Sequence, residues 1–148
     1  MPSPSSNLAV ASGDQGRLHV MLVNVTQNAK PEDVQVQKEY LEVHSTADSR
    51  ELADKIARSA VESRLAACAQ VVGPIASTYH WAGTVEQATE WLVLLKTTAE
   101  RFDALAAHIK DKHPYETPEI LAVPVLAGAE DYLRWISSET NHPRPTPR

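Results

Sequence analysis

A thiol and a short polar run are the parts of this sequence whose side chains are suited to binding a metal ion. Cys68 is the single cysteine of the chain, and a thiolate is a soft ligand that suits Cu(I). The run His113-Pro114-Tyr115-Glu116 places an imidazole, a phenol and a carboxylate side by side. Imidazole suits copper and zinc, and a carboxylate serves as a further ligand or orients the imidazole. Cys68 and His113 are therefore the candidate metal ligands.

Both features also have a purely structural interpretation. A free cysteine is most often a small buried hydrophobic residue. Pro114 and Pro118 stiffen the chain on either side of Tyr115, which is typical of a rigid connection whose polar groups bond the turn backbone. The residues by themselves leave both interpretations open.

Lys96 is the third residue with a chemical role to explain, because it lies at the end of an apolar run. Buried lysines are rare unless they are paired, so we expect an acidic partner among Glu90, Glu116 and Glu119. A lysine–carboxylate pair in a subunit cleft would bind a small anionic metabolite, or it would be an interface salt bridge only. The candidate cleft residues are Lys96, Tyr115, Glu116, Trp81 and Glu90.

No motif of a known catalytic class accompanies these residues. The sequence contains no HExxH, CxxC, Walker loop or GxSxG elbow. A nucleophile–base pair of Cys68 with His113 has nothing in the sequence to position it. Four aromatic residues are typical of core or interface packing rather than of a cofactor site, namely Tyr79, Trp81, Trp91 and Trp135. We predict a binding protein that is not an enzyme and has no organic cofactor.

Composition sets the class of protein and excludes some partners. A chain of 148 residues with 43% hydrophobic and 22% charged residues is typical of one globular domain. The net charge of −5 repels phosphate backbones, so nucleic acid is not an expected partner. Apolar runs such as residues 91–95 are too short to span a membrane. The first residues lack the basic and apolar regions of a secretory signal, and we predict a cytoplasmic protein.

Hydrophobic periodicity switches along the chain between strand and helix patterns. Asp48 and Glu51 have the spacing of a capping box that opens a helix, and Pro114 ends a later one. The predicted strands are residues 38–46, 68–81, 89–98 and 119–126, and the predicted helices are residues 49–66, 99–112 and 129–138. This order predicts an α+β, ferredoxin-like split βαβ sandwich (βαββαβ) with a long hairpin and a C-terminal helix.

The hairpin and the chain ends complete the predicted organisation. The hairpin over residues 68–98 is long for so small a sheet and would expose strand edges, which predicts an oligomer of unspecified number. Residues 1–17 are predicted to be disordered, and residues 18–37 contain a strand-like segment that either adds to a sheet edge or covers one. Residues 38–140 form the folded domain, and residues 141–148 are a disordered tail interrupted by prolines.

Five motifs in one order and spacing resemble those of CutA, the divalent-cation tolerance proteins. The motifs are Leu65-Ala66-Ala67-Cys68, Ser77-x-Tyr79-x-Trp81-x-Gly83, Leu94-Leu95-Lys96-Thr97, His113-Pro114-Tyr115-Glu116-x-Pro118-Glu119-Ile120 and Tyr132-Leu133-x-Trp135-Ile136. The resemblance covers about Tyr40 to Ser138. The chain departs from the family pattern at Gln70, at Glu42 and His44 in the first strand, and in carrying residues 1–37.

The resemblance implies a ferredoxin-like protomer in a tight trimer formed by strand pairing, heat stability, a cytoplasmic location and no known catalytic activity. It also implies binding of copper or another divalent cation. We therefore expect a homotrimeric copper-binding protein linked to metal tolerance and the response to metal ions, with Cys68 and His113 as metal ligands. The alternative is a trimeric small-molecule sensor that resembles PII-type signalling proteins, with its ligand in the intersubunit cleft near Lys96, Tyr115 and Glu116.

Overall fold

The computed structural model describes residues 8–12, 18–22 and 39–141. The chain divides into two compact units, Met1–Gln37 and Lys38–Arg148. No helix among the described residues has the length and apolar content needed to cross a bilayer. The tail that we predicted to be disordered lies outside the described residues, apart from Asn141.

The first unit contains a two-stranded antiparallel sheet. Its strands are β1 (Leu8–Ser12) and β2 (Leu18–Leu22), with Leu8 opposite Leu22. Residues 1–17, which contain β1, were predicted to be disordered. The apolar sequence of β1 allows this strand to pair with a second apolar strand. The strand expected after residue 18 is observed as β2, and its neighbour in the sheet is β1. The rest of residues 1–37 lies outside the described ranges.

The second unit contains a four-stranded antiparallel sheet in the order β4-β5-β3-β6 and three α-helices. The sequence order βαββαβ with a final helix is the predicted ferredoxin-like arrangement, which is confirmed. Its elements are β3 (Tyr40–Ala47), α1 (Arg50–Glu62), β4 (Cys68–Trp81), β5 (Thr84–Thr98), α2 (Phe102–Lys112, after a 3-10 turn at Ala99–Arg101), β6 (Leu121–Pro124) and α3 (Glu130–Thr140).

The two faces of this sheet have different surroundings. On the helix face, alternate residues of β3 and β5 are buried against α1 and α2, as Val43, Leu95 and Ile56 show. On the other face, which we call the second face, the remaining β3 residues are only half-buried. There α3 lies against β5, and the Tyr40 hydroxyl bonds the Ser137 hydroxyl at 2.7 Å.

Helix α1 begins and ends at residues other than those predicted. The Ser49 hydroxyl accepts the Leu52 N–H at 3.2 Å, so Ser49 is the N-cap and the predicted box opening at Asp48 is wrong by one residue. The helix ends at Glu62 rather than at residue 66, because Arg64 adopts a φ of 55°. The N–H of Arg64 and the N–H of the residue after it both donate to carbonyl oxygens of the last helical turn. This arrangement is a Schellman motif.

The hairpin of β4 and β5 is longer than predicted. Strand β5 begins at Thr84 instead of residue 89, because the polar residues at its start pair with β4 in an exposed two-stranded ribbon. Ala82 and Gly83 form the two-residue turn with φ values of 49° and 82°, as a type I′ turn requires. The ladder shifts register between Val72 and Ile75.

Candidate functional site

Lys96 lies at the centre of a row of side chains that crosses three strands on the second face. Cys68 of β4 and Glu42 of β3 are its cross-strand partners on either side. The Lys96 side chain is 16% exposed, and its Nζ lies 3.8 Å from the Glu42 carboxylate and donates to the Gln70 side-chain oxygen. The expected acidic partner exists, but it is Glu42 and not a residue near the hairpin or the His113 loop.

Glu42 also binds a histidine on its own strand. Nε2 of His44 lies 2.8 Å from the other carboxylate oxygen of Glu42, so this carboxylate joins an imidazole to the Lys96 ammonium. In the sequence alone, Glu42 and His44 stand out only as departures from a more apolar family pattern. The two residues occupy alternate positions of one strand, and this spacing is the sequence signal that their side chains share a face of the sheet.

Helix α3 brings a phenol to the thiol. Burial, followed by the influence of the neighbouring Cys68 side chain, raises the pKa of Tyr132. Cys68 is a half-buried residue opposite Lys96 in the sheet. The residues of this group, which we call the thiol cluster, are Cys68, Gln70, Lys96, Glu42, His44 and Tyr132.

His113 is a structural anchor within the protomer. Its Nε2 lies 2.7 Å from the Thr46 carbonyl oxygen, so this nitrogen carries the proton and donates. Its Nδ1 accepts the N–H of Tyr115 at 3.2 Å. The residue is 8% exposed. Both ring nitrogens are therefore engaged, and they tie the loop after α2 to the end of β3.

The two residues predicted as metal ligands lie apart in the protomer. Thr46, which holds His113, is opposite Leu92, whereas Cys68 is opposite Lys96. Four residues of a strand span about 13 Å, so Cys68 and His113 lie toward opposite ends of the sheet. Within residues 39–141 no group of three or more His, Cys, Asp or Glu side chains is placed to hold a metal ion.

The predicted cleft residues also separate. Burial, followed by the charges of Asp48 and Glu90, raises the pKa of Tyr115. Lys96 lies six residues from Glu90 along β5, which corresponds to about 20 Å. Of the other two members, Trp81 is at the hairpin tip with 65% of its surface exposed, and Glu116 is exposed in the loop.

Comparison with known proteins identifies the family that this sequence and fold resemble. Residues 41–139 match the model of the CutA1 divalent ion tolerance protein family. The divalent-cation tolerance protein CutA of Thermus thermophilus is 43% identical over 95 residues, which cover 64% of this chain and 92% of that protein. The chloroplastic protein CutA of Arabidopsis thaliana is 36% identical over 100 residues, which cover 68% of this chain and 55% of that protein.

Solved structures agree with the sequence comparison. The structure described as the periplasmic divalent cation tolerance protein CutA of Archaeoglobus fulgidus is 36% identical, with a TM-score of 0.67 over 69% of this chain and 99% of that one. This chain spans about half the length of the Arabidopsis relative. Because the family match covers residues 41–139, from the start of β3 to the end of α3, the chain belongs to the CutA1 divalent ion tolerance protein family.

Proposed function

We propose that this protein binds divalent cations, copper foremost, as a homotrimer that contributes to metal tolerance and to the response to metal ions. The position of the half-buried Cys68 on the second face, opposite Lys96, is the observation that carries the proposal. Thiolates are the preferred ligands of Cu(I). The family to which the chain belongs is named for divalent-ion tolerance, which agrees with a metal ligand at this position.

A metal on Cys68 needs ligands from outside its own protomer. The cross-strand neighbour of Cys68 is Lys96, whose positive charge disfavours a cation beside it. His113 is about 13 Å further along the sheet and has both nitrogens engaged. We therefore place the metal between protomers, where a second copy supplies the missing donors. His113 takes part only if assembly releases one of its hydrogen bonds.

Features of the protomer surface support assembly. The outer part of the β4–β5 ribbon has no third strand beside it among the described residues, and unpaired strand edges are usually covered by another chain. The second face exposes apolar residues on β6, including Leu121 with 55% of its surface accessible. Exposed apolar surface of this kind marks contact sites. Closed rings of identical subunits cover such edges without leaving a free one.

Copper titration tests the metal assignment. We expect Cys68→Ser to weaken Cu(I) binding at least about tenfold, because the hydroxyl is a much poorer soft ligand. His80→Ala on the exposed ribbon is the matched control and should retain the affinity of the parent chain. The measurement is competition with a chromophoric Cu(I) chelator under reducing conditions. Full affinity in the Cys68→Ser, His113→Ala double variant would contradict the assignment of both ligands.

We further propose a cytoplasmic location and a binding role without catalysis. Relatives carry names that place them elsewhere, in the chloroplast and in the periplasm, so location is a property to be measured for this chain. Fractionation of cells that express the protein, with markers for each compartment, tests the first part. Recovery of the chain outside the cytoplasmic fraction would contradict it.

A further inference from the structure

A cavity of about 390 Å³ lies where β3 begins, β5 ends and α3 ends. Tyr40 and Thr98 are cross-strand partners and bring the two strand ends together on one side of it. Ser137 and Thr140 of α3 line the other side. No residue of the thiol cluster lines this cavity. Its volume falls within the range of about 300–1,000 Å³ that is typical of small-molecule sites, toward the lower end.

The guanidinium of Arg101 is a wall of this cavity. Its Nε donates to the Thr140 carbonyl oxygen at 2.7 Å, which holds the half-buried side chain against the end of α3. This contact uses one of the five N–H donors of the guanidinium. Among residues 39–141 Arg101 takes part in no ion pair. The remaining donors form a planar fork of the kind that binds a carboxylate through two parallel hydrogen bonds.

Hydroxyl groups in the same lining provide further donors. The Tyr40 and Ser137 hydroxyls bond each other at 2.7 Å. That bond uses one of their two protons, so the second proton is left to donate. Thr98 precedes the 3-10 turn, and its side chain does not cap that turn. A carboxylate on Arg101 would therefore have neutral donors close to it.

Two acidic side chains, Glu39 and Glu100, complete the charged part of the lining. Both are exposed, and within the described part of the second unit neither forms an ion pair with Arg101 or with any other cation. A simple anion on Arg101 would be repelled by these two carboxylates, and a simple cation would be repelled by the guanidinium. The lining instead matches a ligand that carries one charge of each sign.

We propose that this cavity, which we call the Arg101 cavity, binds a free α-amino acid. The carboxylate of the ligand accepts hydrogen bonds from the Arg101 guanidinium, and its ammonium group faces Glu39 and Glu100. The proposal goes beyond metal tolerance and does not depend on Cys68 or on bound copper, because the thiol cluster contributes nothing to the lining.

Calorimetric titration of the full chain with three related ligands tests the class of ligand. The probe is L-asparagine, whose neutral amide suits a lining rich in hydroxyl groups. We expect one L-asparagine per chain. N-acetyl-L-asparagine lacks the ammonium group and L-asparagine amide lacks the carboxylate, so each should bind at least about tenfold more weakly through the loss of one charge-assisted contact. Equal binding of either derivative, or no binding of L-asparagine, would overturn the proposal.

Substitution of Arg101 tests the position of the site. We expect Arg101→Gln to bind L-asparagine at least about tenfold more weakly, because the charged fork is lost. The matched control is Lys110→Gln, an exposed position of α2 that does not line the cavity and changes the net charge equally. The control should bind as the parent chain does. Unchanged affinity in Arg101→Gln, or equal weakening in the control, would overturn the proposal.

A second variant leaves the bond between Arg101 and α3 intact and decides the question even if Arg101→Gln fails to fold. We expect Glu100→Gln to bind L-asparagine about two- to fivefold more weakly, as is typical of an exposed charge pair. Asp103→Asn, an exposed carboxylate in the first turn of α2 and outside the lining, is its matched control and should retain the parent affinity. Equal affinities of the two variants would contradict binding in the Arg101 cavity.

Discussion

Lys96 and Glu42 are direct cross-strand partners on β5 and β3, with the ammonium 3.8 Å from the carboxylate. The same carboxylate binds His44 at 2.8 Å. A half-buried carboxylate between two basic groups interacts with both of them. Removal of either basic group therefore changes the contribution of the other to the stability of the protein. This pair is the centre of the thiol cluster and the first point at which to test it.

The Lys96–Glu42 pair should show energetic coupling. We expect Lys96→Met and Glu42→Gln each to lower the free energy of unfolding, and the double variant to lose about 1 kcal/mol less than the sum of the two losses. Urea unfolding at one fixed protein concentration is the measurement, since the stability of an oligomer depends on concentration. Additivity within about 0.3 kcal/mol would mean that the two side chains are independent.

Assembly should depend on the exposed second face. We expect Leu121→Asp to convert a species of three 16.2 kDa chains into a smaller one, because a buried unpaired carboxylate costs several kcal/mol. Light scattering gives the mass directly. The matched control is Val61→Asp at the end of α1, another exposed apolar residue, which should leave the mass unchanged. A trimer in which Leu121→Asp has no effect would place the interface elsewhere.

Stability should fall on mild acidification because of His108. Its Nε2 lies 2.8 Å from the Ser59 hydroxyl, and burial, followed by the Lys112 charge, lowers its pKa below 6.5. A lowered folded-state pKa means that the unfolded chain binds the proton more readily. This contribution is therefore complete above pH 6.5 and declines as the pH falls toward the lower folded-state value. Denaturation from pH 8 to pH 5 should show a smaller decline in His108→Gln than in the parent chain.

The left-handed backbone conformation of Arg64 should lower the free energy of unfolding by a measurable amount. Its φ of 55° is left-handed, which costs a non-glycine residue roughly 1–2 kcal/mol. Its guanidinium bonds the Glu139 carbonyl oxygen at 3.2 Å and thereby connects the end of α1 to α3. Arg64→Ala loses this contact and keeps the cost, whereas Arg64→Gly loses both. We expect the glycine variant to be more stable than the alanine variant by about 1 kcal/mol in thermal or urea unfolding, and equal stabilities would contradict the strain.

The types and order of the elements could be predicted because they follow from local patterns. Alternation of apolar residues identified β3, and the helical spacing of Ile56 with its neighbours identified α1. Element ends were less predictable. The N-cap moved from Asp48 to Ser49, since neighbouring polar residues both have side chains that can accept an N–H. The start of β5 was missed because an exposed ribbon has no apolar alternation to reveal it.

The sequence by itself determined the ferredoxin-like order of strands and helices and the family, and it singled out Cys68, Lys96 and the His113 loop as candidate site residues. Only the tertiary structure decided which of these residues meet. Register between strands distant in sequence placed Glu42 beside Lys96, and it placed Cys68 and His113 toward opposite ends of one sheet. Such pairings depend on how whole strands align, because a shift of one residue in register moves every side chain to the other face of the sheet. The local sequence around a single residue does not determine that alignment.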